Sequence, residues 1–155
     1  MKIPFFQQLQ SWAGQPVQQV VVATNGPARA GIERVLRHVL AELPEVLATA
    51  VVDVASGQLL ASYAASREFR PGAVAGPNAE VVRQLGALLA DGPPGTPPEA
   101  LEEVLVTLRS QLHLLRLLPQ GQQFLYVAVD CRDTNLGIAR EVMRSGLERL
   151  NEAPG

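Results

Sequence analysis

Whatever chemistry this chain performs would have to come from very few side chains. The stretch CRDTNLGIAREVM, residues 131–143, has the outline of a nucleotide-binding turn. A hydrophobic run, FLYVAVDC, empties into Asp133, Thr134 and Asn135, followed by Gly137 and a helical pattern. A phosphate cradle needs several glycines so that successive amides can approach the anion, completed by a lysine or a helix N-terminus. This stretch has a single glycine, already inside the helical pattern, and no lysine. Asp133, Thr134 and Asn135 are instead all competent N-caps, and a carboxylate among them would repel phosphate. The turn therefore reads as a capped junction between a strand and the last helix.

The other reactive side chains are scattered. His38 falls on a helical pattern and His113 within an apolar run, far apart and without acidic companions, so both read as structural. Cys131 is the lone cysteine, with no histidine near it, and reads as a small hydrophobe at a strand end. Asp53 precedes a glycine turn, where an aspartate bonds its own backbone. No nucleophile with its base, no paired carboxylates and no metal-ligand spacing emerges. The chain reads as a non-enzyme with no catalytic residues, no metal and no cofactor.

Composition narrows the alternatives. With 155 residues, 47% of them hydrophobic, the chain is long enough for one well-packed domain and short for two. The 13 basic and 15 acidic residues give a net charge of -2, so neither nucleic acid nor an anionic membrane is an expected partner. No apolar stretch is long enough for a membrane span, which predicts a cytoplasmic protein without integral membrane association.

The elements that would position any site follow from periodicity. ARAGIERVLRHVLAELP carries Ile32, Val35, Leu36, Val39 and Leu43 at three- and four-residue spacing and predicts a helix stopped by Pro44. VLATAVVDVASGQLLASYA predicts a hairpin over residues 46–64 turning at Ala55-Ser56-Gly57. SREFRPGAVAGPN, with two prolines and two glycines, reads as a loop, after which Asn78 caps a second helix, AEVVRQLGALLAD. GPPGTPPE is a surface loop, with a polyproline ligand as the alternative. LEEVLVTLRS, QLHLLRLLP and QFLYVAVDC predict a three-strand meander. The last two are nearly continuous in apolar residues, which predicts helices on both faces of the sheet. TNLGIAREVMRSGLERL closes the chain as a helix. Ahead of all this, residues 1–27 form an extension. In it Pro4 opens a short helix showing Phe5, Leu9 and Trp12 on one face, which would dock on its own domain or, alternatively, on a partner or a membrane. VQQVVVAT there is an extra strand or a helical turn.

The order helix, hairpin, helix, meander, helix resembles the roadblock family of dynein light chains and bacterial GTPase regulators. AVVDVASGQLLA resembles that family's first hairpin, and NLGIAR the opening of its last helix. The resemblance covers residues 28–152 and implies an α+β sandwich: a five-stranded antiparallel sheet with the second helix on one face and the first and last on the other. It further implies a homodimer in which the second helix lies antiparallel to its mate and the third strand pairs across the two-fold. That interface would use Val81, Val82, Leu85, Gly86 and Leu89 with Val104, Val106 and Leu108, and Gly86 would let the helices approach closely. The alternative is that the chain's own Pro-rich loops cover the helix and the edge.

Bacterial members of the family bind Ras-like small GTPases, and a well-known group accelerates GTP hydrolysis in gliding and polarity systems without lending an arginine. By resemblance this chain is then a cytoplasmic, dimeric GTPase regulator. Its candidate GTPase-binding residues are Glu80, Arg83, Gln84 and Ala87 of the second helix with Arg67 and Arg70 of the preceding loop. A purely structural adaptor is the alternative, and a small-ligand sensor a third reading. The long Pro/Gly-rich loops flanking the second helix depart from the minimal family pattern.

Overall fold

A computed structural model of the chain describes residues 19–152. Its sheet contains β1 (Val21–Val22), β2 (Ala48–Asp53), β3 (Leu59–Ala64), β4 (Glu103–Thr107), β5 (Gln111–Leu117) and β6 (Gln123–Asp130). The helices are α1 (Ala28–Glu42), α2 (Pro71–Ala90) and α3 (Leu136–Glu148), the last followed by a 3-10 turn, Arg149–Asn151. The strand order is β1-β3-β2-β6-β5-β4, every pair antiparallel. This is the expected α+β sandwich with a sixth strand. Val21 and Val22 pair with Ser62 and Ala61, so the extra-strand reading of VQQVVVAT is the correct one and the five-strand expectation is corrected. The Phe5–Leu9–Trp12 helix expected in the extension lies outside the described residues.

Both faces of the sheet are buried, for the reason the unbroken apolar strands suggest. Along β6, successive residues from Phe124 to Val129 alternate between two cores. On one face Leu125, Val127 and Val129 pack with Ile32, Leu36 and Val39 of α1 and Ala139 and Met143 of α3. On the other, Phe124, Tyr126 and Ala128 pack with Ala75, Ala79 and Val82 of α2. α2 rests chiefly on β2 and β3, while α1 and α3 pack against each other across the opposite face.

α2 corrects a boundary. It begins at Pro71 and not after Asn78, so most of the segment read as a loop is helical. Pro71 occupies the first helical position, where a missing N–H costs nothing because no intrahelical acceptor is available there. Gly76 has a specific neighbour: a Cβ on Gly57, at the tip of the β2–β3 turn, would lie 3.2 Å from its Cα. Gly57 itself takes φ +70°, the left-handed region that glycine enters without strain. Helix and turn thus meet glycine on glycine. Asp53 fixes that turn from the other side, accepting from the Ser56 backbone N–H at 2.9 Å and its hydroxyl at 2.7 Å.

Candidate functional site

α2 presents two adjacent outer stripes. Glu80 and Gln84, continued by Ala87, form one, exposed and mostly polar. Val81, Leu85 and Leu88, at four- and three-residue spacing, form an apolar one, with Val81 43% and Leu88 70% exposed. The inner face is built from smaller residues, Ala75, Ala79 and Val82. Val82, expected at a helix–helix interface, is only 4% exposed and already packed against its own sheet. Leu85, Gly86 and Leu89 are half-buried, and nothing lies within 4 Å of a Cβ built on Gly86.

Arg83 does not stand free for a partner. Its guanidinium reaches down to the β2–β3 turn, donating to the carbonyl oxygens of Val54 at 2.5 Å and Ala55 at 3.2 Å. It also donates to Glu80 Oε2 at 2.5 and 3.2 Å. Gln84 donates to the other Glu80 oxygen at 2.8 Å. This bond first, and the arginine second, hold the Glu80 carboxyl below its ordinary range. Glu80, Arg83 and Gln84 therefore form one cluster, and its arginine ties the helix to the turn. Arg67 and Arg70 are exposed on the segment leading into α2.

β4 is the open edge of the sheet. Leu108 N–H donates to Gln111 O and Leu117 N–H to the Glu102 carbonyl, so the even-numbered residues turn their backbone groups toward β5. Those of Glu103, Leu105 and Thr107 consequently face outward, without a strand partner among the described residues. Val104 packs into the core beneath α2, while Val106 is 39% and Leu108 48% exposed. Among the described residues, four of the six large exposed hydrophobic side chains thus lie on α2 and on β4 with its following turn.

No protein-family profile matches the sequence, and no curated protein matches it. Solved structures do. The chain superposes on Myxococcus xanthus MglB with a TM-score of 0.66 at 17% identity, covering 84% of this chain and 91% of that one. For the gliding protein mglB of Thermus thermophilus the values are 0.60, 17%, 83% and 92%. For a Roadblock/LC7 domain from Streptomyces avermitilis they are 0.52, 16%, 68% and 82%.

The chain has the roadblock fold.

Within this roadblock sheet, two polar groupings escaped the sequence reading. Glu103, at the start of β4, accepts from Arg140 of α3 at 2.6 Å and from Arg116 of β5 at 3.3 Å, which pins the edge strand to the helix layer behind it. On the opposite face His113, the cross-strand neighbour of Val106, is bonded to the Tyr126 hydroxyl at 2.8 Å and to Gln111 Oε1 at 2.9 Å. Sequence distance hid both, since each joins residues on different elements.

The opening motif is settled by its own geometry. Asn135 Oδ1 accepts from the Ile138 N–H at 2.9 Å and caps α3. Three positions before the exposed Asp133, Asp130 is chelated by Arg132 at 2.7 and 3.0 Å, and its carboxyl is held down to about 2 by those bonds. Among the described residues no three potential ligands are placed to hold a metal, and no helix is long and apolar enough to cross a membrane.

Proposed function

We propose that this chain is a homodimeric regulator that binds a Ras-like small GTPase and acts without a catalytic site of its own. The observation that carries the reading is the exposure of Val106 and Leu108 on and just after an edge strand with open backbone groups, together with the exposed Val81 and Leu88 of α2. A surface of that kind invites pairing. Similarity to MglB and roadblock structures, one of them a gliding protein, supports a role in bacterial polarity or motility.

The outward-facing groups also select a register. A two-fold axis normal to the sheet keeps both α2 helices on one side, so paired residues must share a face and hence a parity. Centring the pair on Leu105 sets Glu103 against the partner's Thr107 and Leu105 against the partner's Leu105. Each such pair exchanges both backbone bonds, and all three outward residues are used. A shift by two residues in either direction leaves an outward residue beyond the strand. In the Leu105 register Val104 lies against the partner's Val106, joining apolar to apolar. Leu85, Gly86 and Leu89 would line the crossing of the two α2 helices. The GTPase would then meet Glu80, Gln84 and Ala87 with Arg67 and Arg70, and Arg83 would serve by fixing the helix.

The test is single-turnover GTP hydrolysis by the Ras-like GTPase encoded nearest to this chain's gene, with and without an equimolar amount of the dimer. Acceleration is the expected result. Binding without any change in turnover would replace the regulator with an adaptor, and absence of binding would overturn the GTPase reading.

A further inference from the structure

We propose that self-association through β4 is proton-sensitive, with His113 as the sensing group: the dimer holds when the ring is neutral and loosens when it is protonated. This rests on the self-pairing reading above.

The geometry places His113 at the right point. It is half-buried, one strand in from the open edge and directly beside the exposed Val106. A second copy laid over β4 and its flank would remove the remaining water from the ring. Gln111 Oε1 can only accept, so Nε2 carries the hydrogen, and Nδ1 accepts from the Tyr126 hydroxyl. The neutral ring is thus fully satisfied. A second proton would land on Nδ1, facing an oxygen that now donates, and the buried Tyr126 hydroxyl would have to turn away and lose its acceptor.

Few charges are placed to compensate. On the same face β6 contributes Tyr126 and Asp130, and the Asp130 carboxylate is occupied by Arg132. β4 offers Val104 and Val106, with Arg109 at its turn, which would oppose a further positive charge. The titratable groups of α2, Glu80 and Arg83, are bound to each other, and Arg83 also to the β2–β3 turn. Burial already lowers the pKa of His113 from its ordinary value in the single chain, and assembly deepens the burial. The sign follows. A base whose pKa is lower in the dimer than in the monomer strengthens the dimer at pH values above its monomer pKa. That strength is lost as pH falls toward the dimer value.

Analytical ultracentrifugation at pH 7.5 and 5.5, on the wild type and His113→Gln, tests this. The wild-type dissociation constant is expected to rise about tenfold at the lower pH and the variant's by less than twofold. A dimer whose strength ignores pH, or a variant with the wild-type dependence, overturns the proposal alone. A wild-type chain that is monomeric at pH 7.5 overturns the self-pairing reading with it. A second readout leaves His113 in place: in the His38→Gln chain, the His113 ring proton followed by NMR should titrate at lower pH at dimer-forming concentrations than at dilution. A titration independent of concentration overturns the proposal.

Discussion

Gly31 lies directly beneath the carbonyl of Leu150: a Cβ built there would stand 2.5 Å from that oxygen. The end of the chain crosses α1 at this point. Arg34, one turn on, fastens it by donating to the carbonyl oxygens of Arg149 at 2.8 Å and Glu152 at 2.6 Å.

Gly31→Ala is accordingly expected to destabilise the domain by about 1–3 kcal/mol, even though alanine is the better helix former. The methyl must displace backbone, not a flexible tip. Thermal unfolding would show the loss, and a variant as stable as the wild type would mean that the chain end moves aside freely.

Arg83→Ala should cost roughly 1–3 kcal/mol, because two turn carbonyls lose a charged donor. Urea unfolding measures it. Reduced GTPase binding with unchanged stability would give Arg83 a direct role and remove the clamp described above.

Gly86→Leu separates fold from assembly. The added side chain meets open space in the single chain, so stability should change little, while a close helix crossing would be overpacked. Light scattering should report the monomer mass. A dimer mass would move Gly86 away from the crossing.

Leu105→Cys, in a Cys131→Ser background, should form a disulfide between two copies under mild oxidation. Directly paired strand residues lie about 5.5 Å apart at Cα, within disulfide reach. A non-reducing gel shows the doubled mass. Cross-linking at Val104 or Val106 but not at Leu105 would shift the register.

Tyr126, beneath α2, is pushed up to about 12 by burial. The folded state therefore prefers the protonated phenol. Stability from this group is complete below pH 10 and lost as pH rises toward 12, up to roughly 2–3 kcal/mol. Of the two tyrosines, one should ionise late in an absorbance titration, and Tyr126→Phe should remove the late step.

The sequence was most readable where hydrophobicity and geometry agree. α1, the β2–β3 hairpin, the meander and α3 all fall within a few residues of their periodic patterns. α2 defeated the reading twice, for one reason. Its inner face is Ala75, Ala79 and Val82, and its outer face Val81, Leu85 and Leu88, so the larger apolar side chains point away from the core. Hydropathy assigns Val82 to the wrong side of such a helix. Pro71 and Gly76 likewise look like helix breakers, but Pro71 is the first helical residue and Gly76 lies against the Gly57 turn. The missed polar clusters, Arg116–Glu103–Arg140 and Gln111–His113–Tyr126, join residues from separate elements that only the sheet register brings together.

The two-residue β1 is the smallest element of the fold, yet it makes the two margins of the sheet unequal. At one margin an abbreviated strand leaves little backbone for a newcomer to grip; at the other β4 offers its full length. A ribbon with two inviting margins can grow copy upon copy into a fibre. If β4 pairs with its own copy, no comparable margin is left among the described residues, and assembly would stop at two.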